Sequence, residues 1–249
     1  MQTGGTDCNK RKTNDVLILI AAAAGLFVFQ SVASKTGSLV AGLFDYSAVD
    51  KDGVFMRITV HHVVQMLIAL AAVIVTAKLK KADFYIRPKF SKTGICCAAV
   101  FSVAIAIYAL ASYAVGYRLN RIAPYEYELS PLNIAGSLGF QLLLSGTSEE
   151  ILFRAFPITI LELVSRRMEH KVRLLNIVIA SFLFSLAHIK WSAVPFDVSF
   201  SWFQLIYAFI LGIAYGITLE KSKSVLYPAV MHGMSNFIMV GVGYIFALT

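Results

Sequence analysis

GTSEEILFR, residues 146–154, lies inside a long apolar segment and carries three charged side chains. PLNIAGSLGFQLLLS precedes it and AFPITILELV follows it, so both flanks have the composition of a membrane helix. A single charge at the centre of such a helix costs about 2.5–3.5 kcal/mol on insertion scales. Glu149, Glu150 and Arg154 therefore need compensating partners, and those partners have to come from within the protein.

Composition predicts an integral membrane protein. Of the 249 residues, 58% are hydrophobic and only 14% are charged, and the mean hydropathy is +0.72, which is too apolar for an ordinary soluble domain. The formal net charge of +8 does not indicate a nucleic-acid partner, because the basic residues stand between apolar runs, where they orient membrane helices. The three cysteines, Cys8, Cys96 and Cys97, have no disulfide or metal-ligand spacing.

Seven apolar segments predict an all-α, polytopic bundle. Most have about the 20 residues that cross about 30 Å of hydrocarbon as a helix, and a lone strand would leave its backbone unpaired in lipid. The fourth segment is long enough to kink at Pro157 or to divide in two, so we expect seven or eight transmembrane helices. The segments are residues 16–34, 58–77, 93–116, 132–164, 174–189, 202–219 and 225–247.

The distribution of lysine and arginine predicts the orientation of these helices. With seven spans, 15 Lys and Arg residues fall on the side of the N-terminus and six on the other side. Cytoplasmic loops carry the excess of basic residues, so we expect a cytoplasmic N-terminus. The most basic loop, KLKKADFYIRPKFSK at residues 78–92, has six of them.

Helix geometry gives one of the two carboxylates a partner in its own segment and gives the other none. Glu150 and Arg154 are four residues apart, so they share a helix face and are expected to form a structural ion pair, which offsets much of its own desolvation cost. Glu149 lies about 100° around the helix from Glu150 and has no partner in its own segment. A lone intramembrane carboxylate lines a solvated cleft or belongs to a functional site. The other ionisable residues favour the functional site.

Two further segments supply polar side chains that fit such a site. FSLAH ends at His188, and PAVMHGMSN contains His232 and Asn236. Because His232 and Asn236 are four residues apart, an imidazole and a carboxamide share one helix face. Either histidine alone is more typical of a hydrogen-bonded packing residue. Together with Glu149, they predict one buried polar cluster built from three separate segments.

These three motifs, in this order and each in an apolar segment, resemble the CPBP (Abi) family of intramembrane proteases. The patterns are Glu-Glu-x-x-x-Arg, Phe-x-x-x-His and His-x-x-x-Asn. The family includes CAAX prenyl endopeptidases, bacteriocin self-immunity proteins and lysostaphin-resistance proteins. The resemblance covers residues 132–247. It implies a catalytic core over residues 132–249 and supporting membrane helices over residues 1–131. One departure is Ala155, which stands where many relatives have glycine.

The resemblance also implies roles for the polar residues. Glu149 and His188 would activate a water molecule, and His232 and Asn236 would stabilise the developing oxyanion. The family has also been regarded as metalloproteases, and Glu149, His188 and His232 would then bind zinc, with water as the fourth ligand. No HExxH helix pair is present, and we favour a site without an obligatory metal.

Other ionisable and aromatic residues have simpler interpretations. His61 and His62 lie near the start of the second segment, where solvation at the membrane interface explains them better than catalysis. Tyr207, Tyr215 and Trp202 are interpreted as ordinary membrane aromatics.

The depths of His188 and His232 set a condition on the fold. His188 is at the outer end of its segment, whereas His232 lies about 10 Å from the inner end of its own. They meet only if one segment ends within the membrane. We therefore expect the apolar stretch KWSAVPFDVSFS, residues 190–201, to turn back into the protein, and we expect a water-filled cavity near Glu149.

Two classes of function remain open from the sequence. The first is an intramembrane endopeptidase that cuts a membrane-associated peptide or protein within the lipid bilayer, in a prokaryotic cell membrane. The second is a non-catalytic membrane adaptor that regulates a partner, or a proton-coupled carrier that uses the same polar cluster. A carrier favours repeats in both halves of the chain, and the sequence has none. The peptidase is therefore favoured.

Overall fold

The structure, a computed structural model, describes residues 4–166, 172–193 and 196–248. The regular structure in these ranges is helical apart from one short hairpin, which confirms the predicted all-α class. The helices are α1 (Gly4–Ala41), α2 (Met56–Lys80), α3 (Lys92–Arg118), α4 (Pro131–Phe140), α5 (Gly146–Glu150), α6 (Phe156–Ser165), α7 (Val172–Leu186), α8 (Trp202–Ser222) and α9 (Leu226–Ala247).

Five of the described helices are long and apolar enough to cross a membrane. They are α2, α3, α8, α9 and the part of α1 that begins at Asn14. This supports a polytopic membrane protein, but five such helices do not establish the predicted seven or eight. The described part of α7 has 15 residues, fewer than the roughly 20 of a full crossing. The bundle packs α1 against α2, α3 against α9 and α7 against α8.

The fourth apolar segment is one helical run that changes its hydrogen-bond register twice. π-Helical turns at Gln141–Ser145 and Ile151–Ala155 flank the five residues of α5. A π turn closes bonds between residues five apart, and such turns are frequent at functional sites. The two turns therefore bracket the short helix that carries Glu149 and Glu150.

Pro157 follows the second π turn and leaves one backbone carbonyl without a hydrogen-bond donor from its own helical run. The N–H of Phe156 donates to the carbonyl of Ile151, five residues earlier. In the same register the carbonyl of Leu152 would be bonded by residue 157, but proline has no N–H. Gln30 of α1 supplies the missing donor, since its Nε2 donates to the carbonyl oxygen of Leu152 at 3.4 Å. The proline thus ties the helical run to α1.

The loops that follow α2 and α8 meet at one end of the bundle. The N–H of Val225 donates to the carbonyl oxygen of Tyr85 at 2.8 Å. Nearby, Nη1 of Arg173 at the start of α7 lies 3.2 Å from Oε1 of Glu220 near the end of α8. Lysine and arginine are concentrated in these loops. We therefore call this end of the bundle the basic end.

The loops that follow α1 and α3 meet at the opposite end. Nδ2 of Asn133 donates to Oδ2 of Asp52 at 2.7 Å. Asp50 is buried in the same region, and its Oδ2 accepts the N–H groups of Phe55 and Met56 at 2.8 and 2.6 Å. Unpaired N–H groups at a helix start are satisfied in this way. The cap fixes where α2 begins and where the side chains of its first two turns lie.

The stretch that was expected to turn back into the protein forms an exposed hairpin instead. Strands β1 (Lys190–Ala193) and β2 (Phe196–Ser199) pair antiparallel. All four side chains of β2 are exposed, and Phe196 is 81% exposed. The prediction was wrong because the two strands satisfy each other's backbone polar groups, so the segment needs no surrounding protein for that purpose.

Candidate active site

Glu149 lies between two imidazoles from distant helices. Its Oε1 is 3.7 Å from Nε2 of His62 in α2, and its Oε2 is 3.7 Å from Nε2 of His232 in α9. Both histidines are buried, whereas 19% of the Glu149 side chain is exposed. The carboxylate that lacks a partner in its own helix therefore has two partners in space, and water can still reach it.

His232 is held between the two adjacent carboxylates. Its Nδ1 lies 2.8 Å from Oε1 of Glu150, and because an ionised carboxylate only accepts hydrogen bonds, Nδ1 is the donor. Its Nε2 then faces Glu149. Glu149 and Glu150 are separated by about 100° around the helix, and they contact opposite edges of one ring. Glu150 thus sets the orientation of His232 besides lying near Arg154.

Two aromatic rings fix the plane of the same imidazole. Tyr215 stacks on His232 with ring centroids 5.2 Å apart and an interplanar angle of 22°. Phe184 meets it edge-on at 5.8 Å. Tyr215 is fully buried, and its hydroxyl lies 3.0 Å from Oγ of Ser235. The interpretation of Tyr215 as an ordinary membrane aromatic was therefore wrong, because periodicity alone does not show which ring faces a polar residue.

Arg154 is fully buried and its charge is compensated without hydrogen bonds. Its Nε lies 3.5 Å from Oε2 of Glu150. The guanidinium carbon lies 4.1 Å from the centre of the Phe184 ring and 5.5 Å from that of Tyr215, within the range of about 6 Å for cation–π attraction. Its nitrogens have no hydrogen-bond acceptor among the described residues. The compensation is electrostatic, from one carboxylate and two ring faces.

His188 stands at the edge of the cluster, on the turn that follows α7. Its Nδ1 lies 3.0 Å from the carbonyl oxygen of Phe184 and donates to it, which leaves Nε2 free to act on a ligand. The ring meets Phe184 edge-on at 4.9 Å. Phe184 therefore touches both His188 and His232, and His188 lies within electrostatic range of Glu149.

Asn236 faces the helical run that carries Glu149. Its Nδ2 donates to Oγ of Ser145 at 2.9 Å, and Ser145 lies four residues before Glu149. Asn236 follows His232 by one helical turn and is half-buried. A carboxamide nitrogen carries two hydrogens, so one remains for a second acceptor. The structure thus brings Asn236 and His232 to the same helical run.

Two glycines allow α9 to approach this run closely. A Cβ atom on Gly233 would lie 2.6 Å from the carbonyl oxygen of Leu142, and one on Gly146 would lie 2.6 Å from the backbone nitrogen of Gly233. No side chain fits at either position, and small residues are typical where membrane helices pack backbone to backbone. This contact brings His232, the neighbour of Gly233, within reach of α5.

His62 belongs to the cluster, and its interpretation as an interfacial residue was wrong. It is only 6% exposed. Its Nδ1 lies 2.8 Å from Oγ of Ser148, whose own hydroxyl proton goes to the carbonyl oxygen of Ser145 at 3.1 Å. Nδ1 of His62 is therefore the donor, and Nε2 faces Glu149. His62 is near the start of α2 but is not exposed to water, because the helical run that carries Ser148 and Glu149 packs over the face of α2 on which His62 lies.

A sequence signal for His62 was present in its own helix. His62 and Gln65 are three residues apart in an otherwise apolar segment, and both are buried, so two polar groups share one face of α2. His61 lies on another face, with its Nδ1 3.1 Å from Oγ of Ser38 in α1.

The zinc site suggested for Glu149, His188 and His232 stays a prediction. Within the described ranges, no group of three His, Cys, Asp or Glu side chains is arranged to hold a metal ion. Nδ1 of His232 is bonded to Glu150, and Nδ1 of His188 is bonded to the carbonyl of Phe184. Zinc ligands have to converge within about 2.0–2.3 Å of one point. The contacts between Glu149 and His232 are instead those of a carboxylate–imidazole pair.

Comparison with known protein families assigns the part of the chain that contains most of this site. Residues 131–238 match the family described as "Type II CAAX prenyl endopeptidase Rce1-like". This segment is therefore similar to the Rce1-like family, and we call it the Rce1-like segment. The match confirms the resemblance inferred from the motifs, and the Rce1-like segment contains Glu149, His188, His232 and Asn236. No curated protein and no solved structure matches the chain significantly.

The Rce1-like segment begins at the first residue of α4 and ends within α9. The first three helices lie outside the matched residues. Two of them nevertheless reach the site, because α2 supplies His62 and α1 supplies Gln30.

Proposed function

We propose that this protein is an intramembrane endopeptidase that hydrolyses a peptide bond in a membrane-associated peptide or protein. The observation that carries the proposal is Glu149, partly exposed and 3.7 Å from the imidazoles of both His62 and His232. A carboxylate and imidazoles that converge in an apolar bundle supply the groups needed for general acid–base catalysis. The match of residues 131–238 to CAAX prenyl endopeptidases supports this class of reaction.

Glu149 acts as the general base in the proposed mechanism. It accepts a proton from a water molecule that His188 helps to orient through its free Nε2. The water oxygen forms a bond to the carbonyl carbon of the peptide, and the electron pair of the C=O bond moves to the oxygen. The oxyanion then re-forms the C=O bond as the C–N bond breaks, and Glu149 passes its proton to the leaving nitrogen, which releases a carboxylic acid and an amine. Proton transfer from the acid to the amine gives the carboxylate and ammonium products.

His232 and Asn236 stabilise the developing oxyanion. In its protonated form, His232 donates from both nitrogens, with Nδ1 bonded to Glu150 and Nε2 directed at the oxyanion. Asn236 supplies its second amide hydrogen. Removal of one such donor costs roughly 2.7–4 kcal/mol of transition-state stabilisation in well-studied hydrolases. In its protonated form, His62 holds the other oxygen of Glu149 in place, because Nδ1 donates to Ser148 and the second N–H, on Nε2, then faces Glu149.

Purified protein in lipid vesicles tests the proposal with a farnesylated peptide that ends in a C-a-a-X sequence. Glu149→Gln, His188→Asn and His232→Asn are each expected to lower the cleavage rate at least about a hundredfold, with unchanged levels of folded protein. His61→Asn is the matched control, because His61 lies on another face of α2. Cleavage that persists in all three variants would overturn the proposal, and a cellular phenotype that persists in them would favour an adaptor.

We further propose that the basic end of the bundle is cytoplasmic, which makes the N-terminus cytoplasmic. The excess of Lys and Arg in the loops at this end supports it. In a cysteine-free background, a thiol reagent that does not cross membranes should label Lys51→Cys in intact cells and should not label Lys81→Cys until the cells are opened. The reverse pattern would overturn the assigned orientation.

A further inference from the structure

A cavity of about 530 Å³ lies at the basic end of the bundle, between the end of α6 and the start of α7. The loop that follows α2 and the residue that follows α8 close its other sides. Small-molecule sites typically have volumes of about 300–1,000 Å³. The proposed catalytic residues are not among its described lining residues, so it is a separate site. The residues that bear on its chemistry are Thr159, Glu162, Arg166, Arg173, Asn176 and Lys223.

Asn176 gives the inner wall of this cavity a hydrogen-bond acceptor without a donor. The residue is only 1% exposed, and its Nδ2 donates to Oγ of Ser165 at 3.1 Å. Oγ of Ser165 spends its own proton on the carbonyl oxygen of Leu161 at 2.6 Å, so it can only accept from Asn176, which fixes the orientation of the amide. Oδ1 of Asn176 has no partner among the described residues, and a buried acceptor in that state is unfavourable.

Two residues of α6 add further acceptors to the same wall. Thr159 is 4% exposed, and its Oγ1 also has no hydrogen-bond partner among the described residues. Glu162 follows three residues later, on the same face of α6, and is half-buried. In the described part of the chain its carboxylate forms no ion pair, since Arg173 and Lys223 contact Glu220 instead. Three oxygen groups therefore lack a donor, and a primary ammonium group has three N–H donors.

The rim of the cavity is positively charged. Its exposed or partly exposed cations are Arg166, Arg173 and Lys223. Each of these side chains has several N–H donors, so an ion pair leaves others available for an anion. The acid at the rim, Asp83, is exposed, and its Oδ1 accepts the N–H of Tyr85 at 2.8 Å. The rim repels a ligand that is only cationic and the inner carboxylate repels one that is only anionic. The cavity therefore fits a group with an ammonium at its inner end and an anion at its outer end.

We propose that this cavity binds a phosphoethanolamine group, with the ammonium at the inner wall and the phosphate at the rim. The ammonium donates to Oδ1 of Asn176, Oγ1 of Thr159 and the carboxylate of Glu162. The cations of the rim contact the phosphate through charge-assisted hydrogen bonds. The proposal concerns a site outside the proposed catalytic cluster and does not depend on the peptidase function.

A membrane phospholipid is the source of this group. The cavity lies where basic loops meet at one end of the membrane helices, and basic pockets at such positions bind lipid headgroups. Beside Arg173, Leu174 is 59% exposed and Leu175 is 41% exposed. These two side chains give the acyl chains an apolar surface next to the rim. The ligand is therefore phosphatidylethanolamine, held at its headgroup.

Competition among three lipids tests the site. The purified protein in a mild detergent is incubated with equal amounts of short-chain phosphatidylethanolamine, phosphatidylcholine and phosphatidylglycerol, and bound lipids are counted by native mass spectrometry. Phosphatidylcholine carries the same charges but has no N–H donor, and phosphatidylglycerol has the phosphate but no ammonium. We expect phosphatidylethanolamine to bind about tenfold more tightly than either, a difference of about 1.4 kcal/mol. Equal binding of the three lipids, or a preference for phosphatidylglycerol, would overturn the proposal.

Variants of the inner wall assign the preference to this cavity. Thr159→Val keeps the shape of the side chain and removes its hydroxyl. It should reduce the preference without lowering the denaturation midpoint of the lipid-free protein, since that hydroxyl has no described partner to lose. Glu162→Gln should also reduce the preference. Thr218→Val is the matched control, because Thr218 is buried in α8 and does not line the cavity. A preference that survives in both cavity variants would place the lipid elsewhere and overturn the proposal.

Two further measurements test the rim and the source of the ligand. Lys223→Gln should weaken the binding of all three lipids by a similar factor, because each carries a phosphate. Lys221→Gln, at an exposed lysine of the same end that does not line the cavity, should leave binding unchanged. Equal effects of the two substitutions would contradict the phosphate contact. Water-soluble glycerophosphoethanolamine should not displace the lipid at equal concentration, and displacement would assign the site to a soluble ligand and overturn the lipid source.

Discussion

Nδ1 of His232 lies 2.8 Å from Oε1 of Glu150, across the contact between α9 and the helical run that carries α5. This single hydrogen bond joins the Glu-Glu-x-x-x-Arg motif to the His-x-x-x-Asn motif. It also places Glu150 between His232 and Arg154, so that one carboxylate orients an imidazole and balances a guanidinium. The adjacent Glu149 is thereby left to face the solvent-accessible side of the cluster.

Removal of the Glu150 charge should destabilise the protein through Arg154. Glu150→Gln leaves a fully buried guanidinium without its counter-ion, and loss of one partner of a buried pair costs about 3–5 kcal/mol. We expect a lower denaturation midpoint in detergent. Arg154→Met in the same chain should restore most of the midpoint, because neither charge is then left alone. A double variant that is no more stable than Glu150→Gln would show that the pair is not the source of the loss.

The restored double variant also isolates the role of Glu150 in orienting His232. If the protein is the proposed peptidase, Glu150→Gln with Arg154→Met should be folded and still cleave slowly, because an amide holds Nδ1 of His232 less strongly than a carboxylate. The measurement is kcat at saturating peptide. An unchanged kcat would contradict the orienting role.

His62 should matter to activity although it lies outside the Rce1-like segment. His62→Gln removes the imidazole that faces Oε1 of Glu149. We expect kcat to fall about tenfold to a hundredfold with a smaller change in KM, because the base is then less well positioned. His61→Gln is the matched control and should stay within about twofold of the native rate. Equal effects of the two substitutions would argue against a specific role for His62.

The glycine contact between α9 and the helical run should be sensitive to a single methyl group. In Gly233→Ala, the new Cβ would lie 2.6 Å from the carbonyl oxygen of Leu142, so the helices have to separate, at a cost of about 1–3 kcal/mol. We expect both the denaturation midpoint and the cleavage rate to fall. Gly139→Ala is the control, since no atom lies within 4 Å of its added Cβ. A tolerated Gly233→Ala would show that the helices can shift without loss of the site.

Metal chelation should leave cleavage unchanged. In the proposed mechanism Glu149 activates the water without a metal ion, and the described residues contain no converging set of three metal ligands. Incubation of purified protein with a strong chelator, followed by the peptide assay, is the measurement. Loss of activity that zinc restores would show that Glu149 and the histidines rearrange around an ion.

The loop between α3 and α4 should contribute a pH dependence at the alkaline limit. Burial, with the neighbouring phenols of Tyr113 and Tyr244, raises the pKa of Tyr125 to about 12. The folded state therefore keeps this phenol protonated above the ordinary pKa of about 10. Its contribution to stability is present below pH 10 and is lost as the pH rises towards 12. Phenolate absorbance should show one fewer late-titrating group in Tyr125→Phe than in the native protein.

Much of the architecture could be predicted because it depends on patterns that are local along the chain. Hydropathy located α2, α3, α7, α8 and α9 within a few residues, since about 20 apolar residues are what a membrane crossing requires, but it missed both ends of α1 by several residues. Spacing placed His232 and Asn236 on one face of a helix, and the structure directs both to the same helical run. The motif order also pointed to the family whose description matches residues 131–238.

Other features depended on contacts that no local pattern contains. Both π turns shift the register of the run around Glu149 and Glu150, and 3.6-residue periodicity does not reveal them. The exposed hairpin that follows α7 was expected inside the protein, because its apolar composition does not show that its two strands pair with each other.

The sequence by itself determined the membrane class, the helical segments and the polar residues of three motifs, because burial of apolar side chains in lipid and the angle between successive residues of a helix are properties of short segments. Only the tertiary structure decided that His62 joins Glu149 and that Glu150 holds His232. These contacts depend on how closely α2 and α9 approach the helical run that carries Glu149 and Glu150. That approach is governed by glycines, an N-terminal cap and a proline, which act through contacts between segments that are distant from one another along the chain.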